Sequence, residues 1–138
     1  MKKRDVTALV GPVWDRVSAA LDLGSWKVSF TVTKSKHNPD LVLYVESIMS
    51  VTTSHFGVRE ARITVNADRI SDLRALQSGL LHEGIHLCAS PLERFVTAVE
   101  RSSHSNALIR EVYREFDEEF TENLERALMP LVFPQGAS

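Results

Sequence analysis

Residues 81–88 read Leu81-His82-Glu83-Gly84-Ile85-His86-Leu87-Cys88 and contain the pattern HExxH. Two histidines four positions apart on a helix project from the same side, about one turn apart. Both imidazoles can then reach a single Zn²⁺ ion, and the glutamate between them can take a proton from the water that the metal activates. The stretch therefore predicts His82 and His86 as metal ligands and Glu83 as a general base.

The residues before this motif predict the buried helix that such chemistry requires. The pattern HExxH occurs by chance in about one of 70 chains of this composition, so its surroundings decide its meaning. Leu73, Leu76, Leu80 and Leu81 recur at helical spacing and form one apolar face. This face argues against the alternative that the two histidines are solvated residues on a surface helix.

The ends of the motif helix are predicted from capping and breaking residues. Ser71 or Asp72 is a suitable N-cap. Ser90-Pro91 is expected to end the helix one turn after the second histidine, because proline removes a backbone donor and its predecessor avoids helical geometry. Residues 92–99 are then expected to form a short helix of their own.

The order of elements along the chain predicts an α+β fold. A helical pattern begins at Asp5 and is expected to end at Gly24, and strands are predicted over residues 26–32, 41–45 and 61–66. The motif helix follows, and a long C-terminal helix is predicted over residues 105–128. We therefore expect one domain with an N-terminal helix, a small mixed sheet of about three strands, the HExxH helix and a long C-terminal helix.

Composition and charge exclude several classes of protein. The 138 residues are 43% apolar and 25% charged, as in ordinary soluble globular domains. A net charge of −2 with mixed signs gives no nucleic-acid footprint, and neither a membrane-spanning run nor a signal-peptide core is visible. The single Cys88, expected to pack in the core, fits a reducing compartment. We expect a cytoplasmic protein without membrane or nucleic-acid partners.

Four features together carry a family resemblance. They occur in this order along the chain: Trp26-Lys27-Val28-x-Phe30, the strand at residues 61–66, the motif at residues 81–87 and an acidic last helix ending in Leu-Met-Pro. The chain from about residue 21 to residue 130 resembles small zincin-like metallopeptidases, and more narrowly the minimal HExxH proteins of phages and prophages. The resemblance implies a zincin fold in which a downstream helix supplies a third zinc ligand.

The match to this family is carried by His82 and His86 as ligands and by Glu83 as general base, and the chain departs from it in two places. Gly84 stands where such proteins more often carry a bulky apolar residue. Since glycine costs a helix interior roughly 1 kcal/mol relative to alanine, we expect Gly84 to allow the close approach of a neighbouring element. The glycine and histidine that metzincins place after the motif are absent, which excludes that group.

The third ligand is expected to be a carboxylate on the last helix, because catalytic zinc usually takes three protein ligands. Glu118, followed by Thr121 and Leu124, matches the family pattern best. The helical wheel disagrees, since it places Glu118 nearly opposite the predicted buried stripe and puts Asp117 and Glu119 nearer to its edges. The members of that stripe are Ile109, Val112, Tyr113, Phe116, Phe120, Leu124 and Ala127.

Other candidates for the third ligand remain open. His104 lies 18 residues after the second motif histidine, in a position that resembles the third histidine of SprT-like zinc proteins. Asp117 and Glu119 are alternatives on the last helix. The remaining possibilities are Glu93, Glu100 and a site without a third protein ligand. All the acids of the last helix would be solvated if this run were an ordinary charged face.

The sequence supports two functions of different classes. The first is a zinc-dependent peptidase that acts on a peptide or protein substrate, with the strand at residues 61–66 as a candidate edge onto which an extended peptide could add. An ordinary covered strand is the alternative for that segment. The second function is a catalytically inactive, zincin-like zinc-binding module of phage or prophage origin that serves in interactions.

Overall fold

A computed structural model describes residues 1–34, 49–53, 59–102 and 106–135 of the chain. Helix α1 spans Lys3–Ala20, strand β1 Lys27–Thr33, strand β2 Met49–Thr53 and strand β3 Glu60–Asn66. A 3₁₀ turn at Ala67–Arg69 leads to helix α2 (Leu73–Ser102), and helix α3 (Asn106–Val132) follows. The described chain is therefore helices around a small sheet, an arrangement compatible with the predicted α+β class.

Helix α1 packs through the apolar face that its sequence predicts, whose buried members are Val6, Val10, Val13, Trp14 and Val17. Its end differs from the prediction, because the helix stops at Ala20 rather than at Gly24. Asp22 takes the left-handed conformation at φ 54°, and the Leu23 N–H donates to the Ser18 carbonyl oxygen at 2.9 Å. This is the Schellman pattern, in which an aspartate here takes the position that glycine usually fills.

The sheet is mixed, with the strand order β1-β3-β2. Strand β1 runs parallel to β3, and β2 runs antiparallel to it. Strand β3 buries alternate residues Ala61, Ile63 and Val65, as its sequence pattern predicts. The predicted strand at residues 41–45 lies outside the described residues.

The central place of β3 corrects the prediction that residues 61–66 form an edge for a peptide. The backbone groups of β3 are shared between β1 on one side and β2 on the other. A strand with two neighbours has no free row of donors and acceptors to offer. The alternative interpretation of this segment, an ordinary covered strand, is the one that the structure supports.

Helix α2 begins as predicted and ends far later than predicted. The Asp72 carboxylate accepts a hydrogen bond from the Ala75 N–H at 2.8 Å, which makes Asp72 the N-cap. The expectation that Ser90-Pro91 ends the helix is wrong, since α2 continues through Pro91 to Ser102. Buried Leu87 and Val96 lie on either side of this proline, and their packing offsets the cost of the proline, about 3 kcal/mol.

Helix α3 turns a different face inward from the one predicted. Of the expected stripe, Val112, Phe116 and Phe120 are exposed, whereas Thr121 and Met129 are buried. The helix also passes through Pro130 to Val132 instead of ending at residue 128. The inward face carries carboxylates that meet the histidines of α2. Toward its C-terminus the same helix packs Leu124, Leu128 and Met129 against the core.

The motif half of α2 lies inside the core. Leu80, Leu81, Ile85 and Leu87 are at most 2% exposed, and this excludes a solvated surface helix for the histidines between them. The prediction that Cys88 packs in the core is wrong, because its side chain is exposed. Within the described ranges, no helix combines the length and the apolar character needed to cross a membrane.

Gly84 lies where the end of α1 crosses α2. A Cβ atom built on Gly84 would come within 2.7 Å of Val17 Cγ1 and 3.0 Å of Leu21 Cδ1. Both are closer than ordinary van der Waals contact, and Val17 is fully buried. The expectation that this glycine allows a close approach is confirmed, and the approach fixes the motif helix against α1.

We expect Gly84→Ala to lower the free energy of unfolding by about 1 kcal/mol, because overpacking costs about 1–3 kcal/mol and the gain in helix propensity returns up to about 1 kcal/mol. The matched control is Gly11→Ala in α1, where an added Cβ meets no atom within 4 Å. That change should stabilise the protein. Urea denaturation of both variants measures the difference, and equal effects would contradict the packing argument.

Candidate metal centre

Helix α2 brings the two motif histidines together on its side toward α3. His82 and His86 stand one turn apart, with ring centroids 4.8 Å from each other. Their Nε2 atoms are 3.1 Å apart. Both side chains are partly buried, at 22% and 21% exposure. The rigid helix therefore holds two imidazole nitrogens aimed at one point.

Helix α3 adds the carboxylate of Glu118 to this point. Its Oε1 lies 3.2 Å from His86 Nε2, and its Oε2 lies 3.7 Å from His82 Nε2. Ligand atoms of all three side chains lie within 4.8 Å of one another. His82, His86 and Glu118 could therefore hold a metal ion.

Two further carboxylates of α3 engage the outer nitrogens of the same imidazoles. Glu125 Oε2 is 3.0 Å from His82 Nδ1, and Asp117 Oδ2 is 3.0 Å from His86 Nδ1. The Ser78 hydroxyl donates to Oε1 of Glu125. Each ring is thus held on its Nδ1 side by an acceptor, and one of those acceptors is itself fixed by a serine one turn before His82.

These contacts determine which imidazole nitrogens carry protons. An ionised carboxylate only accepts hydrogen bonds, so the Nδ1 atoms of His82 and His86 donate to Glu125 and Asp117. A neutral ring then has a bare lone pair on Nε2. Two such lone pairs and the carboxylate of Glu118 face one another at 3.1–3.7 Å. This convergence of acceptors is stable only around a cation, either a metal ion or an added proton.

Glu83 follows His82 directly and is 8% exposed. Burial, and secondly the negative charge of Glu118, raise the pKa of the Glu83 carboxyl to about 8. Its environment therefore disfavours the charged form of this carboxyl group. A carboxyl group with so strongly raised a pKa, one residue after a candidate metal ligand in the chain, is typical of functional sites.

Thr121 occupies the buried face of α3, one turn after Glu118. Its side chain is fully buried. Its hydroxyl is one of two buried side-chain oxygens that lack a hydrogen-bond partner within the described ranges, the other being that of Thr33. The small side chain permits the close approach of α3 to α2 that the contacts between histidines and carboxylates require.

The structure brings some of the predicted site residues together and leaves others apart from the site. His82, His86 and Glu118 come together, and Asp117 contacts an outer imidazole nitrogen instead of the shared point. Glu119 is exposed and forms no ion pair with any residue of the described ranges. His104 and the side chains of Glu93 and Glu100 lie outside what the structure describes.

Sequence reasoning missed Glu125 and Ser78. Both carried a usable signal, since Glu125 lies two turns after Glu118 on the same side of α3, and Ser78 lies one turn before His82 on α2. The predicted apolar stripe hid this signal, because Glu125 lies on the opposite side of the helix from that stripe. Knowledge of the inward face of α3 would have been needed to use it.

Comparison with known proteins adds no family to this description. No protein-family model matches the chain, and neither a curated protein nor a solved structure matches it. The chemistry of the site is therefore argued from its own residues and distances.

Proposed function

We propose that this chain is a zinc-dependent peptidase of zincin-like architecture that hydrolyses a peptide bond in a peptide or protein. One observation carries the proposal: His82 Nε2, His86 Nε2 and the Glu118 carboxylate converge while both Nδ1 atoms are engaged by other carboxylates. Glu83, adjacent to the first of these histidines, is the candidate general base.

The distances suit zinc. Zinc–nitrogen bonds of 2.0–2.1 Å in a tetrahedron place neighbouring ligand atoms about 3.3–3.4 Å apart. The separations of 3.1 and 3.2 Å from His86 Nε2 to the other two side chains are close to this value. The separations from Glu118, 3.2 Å to His86 and 3.7 Å to His82, end on its two different oxygens. Bringing one oxygen close to both Nε2 atoms therefore requires a movement of this side chain, which is 53% exposed. Two imidazoles and one carboxylate are also a catalytic rather than a structural zinc set.

The roles of the residues follow from their positions. Zinc, when bound, supplies a Lewis acid that lowers the pKa of water and polarises a carbonyl group. Glu83 would accept the proton of the attacking water and return it to the leaving amine. Binding of a cation by Glu118 cancels the charge that helps to raise the pKa of Glu83, which favours the ionised form that a base requires.

Glu125 and Asp117 support this role from behind the histidines. Carboxylates that accept from Nδ1 fix the tautomer with a free Nε2 and make that nitrogen a stronger ligand. The Ser78 hydroxyl restrains Glu125 in turn. Both imidazoles are therefore oriented before a metal binds, which reduces the entropy lost on binding.

A second candidate function is favoured by the raised pKa of Glu83. A carboxyl group that stayed protonated with the metal bound could not accept a proton, and the chain would then be a catalytically inactive, zincin-like zinc-binding module. Such a module, of the phage or prophage type that the sequence resembles, would act through interactions alone. Metal content does not separate the two functions, whereas a substitution at Glu83 does.

The first measurement is zinc content by elemental analysis of protein purified without added metal. We expect about one zinc per chain in the wild type and its loss in His86→Ala, because two ligands cannot retain the ion. His55→Ala, which changes a histidine outside the motif, serves as control and should keep the zinc. Protein free of zinc in both wild type and control would sink the proposal.

Glu83→Gln should keep the zinc and lose at least about 100-fold of peptide hydrolysis, because the amide cannot accept the proton. A library of quenched fluorescent peptides supplies the activity assay, and elemental analysis supplies the metal content. Wild-type protein that binds zinc but cleaves no peptide or protein would favour the inactive module. Unchanged cleavage by the variant would remove Glu83 from the mechanism.

Glu125→Gln should weaken zinc affinity by about 10- to 100-fold, since the amide can no longer hold the Nδ1–H of His82 as a charged acceptor. The matched control is Glu122→Gln, also on α3, where the carboxylate pairs with Arg126 instead of a histidine. Competition with a chromophoric chelator measures both affinities. Equal losses in the two variants would show that overall charge, not the contact with His82, sets the affinity.

A further inference from the structure

The face of α3 that points away from α2 is apolar. Leu108, Val112, Phe116 and Phe120 follow one another at intervals of four residues, and their side chains are 45–68% exposed. The rings of Phe116 and Phe120 stack, with centroids 5.7 Å apart and an interplanar angle of 13°. We call these four residues the outer stripe. A continuous exposed row of large apolar side chains is typical of a binding surface.

A row of carboxylates follows the outer stripe along one flank. Glu111, Glu115 and Glu119 each precede a stripe residue by one position and are themselves one turn apart, so they form a parallel acidic row. All three are exposed, and none forms an ion pair with a residue of the described ranges. The opposite flank of the stripe turns toward α2. The surface is therefore apolar in the middle and negative on its one free side.

We propose that the outer stripe and its acidic row bind a basic amphipathic helix of another protein. An apolar helix face would cover the stripe, as in other helix-recognition surfaces, and lysines or arginines on its flank would meet Glu111, Glu115 and Glu119. The metal-binding side chains lie on the other side of α3, so this interaction stands independently of the proposed peptidase activity.

Charge excludes a second copy of this chain as the favoured occupant. In an antiparallel pair of α3 helices the same flanks meet, so two acidic rows would face each other. In a parallel pair the acidic row would meet the flank that α2 occupies. An anionic membrane surface would likewise be repelled by the row. A basic helix is the partner that satisfies both the apolar and the charged part of the surface.

The test uses a fluorescein-labelled peptide of about 18 residues made of leucine and lysine, with the leucines on one helical face. We expect saturable binding to wild-type protein by fluorescence anisotropy, and none by a matched peptide with glutamate in place of lysine. Phe116→Ser/Phe120→Ser and Glu115→Lys/Glu119→Lys should each weaken binding at least about tenfold. Binding of the acidic peptide with equal affinity would overturn the proposal.

Two control variants separate this surface from general effects. Leu73→Ser/Leu131→Ser changes two exposed leucines outside the stripe, and Asp5→Lys/Asp15→Lys makes the same charge change on α1. Both should bind the basic peptide within about twofold of wild type. Equal losses of binding in the controls would overturn the proposal. So would a wild-type dimer that the phenylalanine variant abolishes. A melting temperature of that variant lowered by more than about 4 °C would also overturn it, because it would show that the stripe packs within its own chain.

Discussion

The geometry of the site follows from the contact between the histidines of α2 and the carboxylates of α3. His82 and His86 each present one nitrogen to Glu118, while Glu125 and Asp117 hold the other nitrogen. The Nδ1 atoms of the two imidazoles are thereby paired with carboxylates in a partly buried space, and Glu118 faces the two Nε2 atoms. Removing one of these paired groups would leave its partner without compensation, which is costly away from water.

This constraint explains the orientation of α3. A helix with apolar residues on one side and acids on the other would ordinarily bury the apolar side. Here the side that carries Asp117 and Glu125 faces inward, and Phe116 and Phe120 remain at the surface. The polar contacts and the buried Thr121 and Met129 outweigh the burial of two aromatic rings. As a consequence, an apolar stripe of α3 is exposed, and the proposed partner helix would cover it.

The motif helix α2 is also packed closely on the side that faces α1. Gly84 admits the side chains of Val17 and Leu21 from the end of α1, and Leu80, Leu81 and Ile85 are buried around it. A site that depends on distances of 3–4 Å between two helices requires such a rigid scaffold. The glycine in the motif therefore contributes to the geometry of the site rather than to its chemistry.

Local signals in the sequence predicted the apolar face of α1, the alternation of β3, an N-cap at Ser71 or Asp72 and the spacing of His82 and His86. These features depend on periodicity and on residues close in the chain. In contrast, α2 passes through Pro91, β3 lies at the centre of the sheet and Glu125 meets His82 because of packing between distant segments. The free energy of that packing overrides local preference, and periodicity alone does not reveal which faces meet.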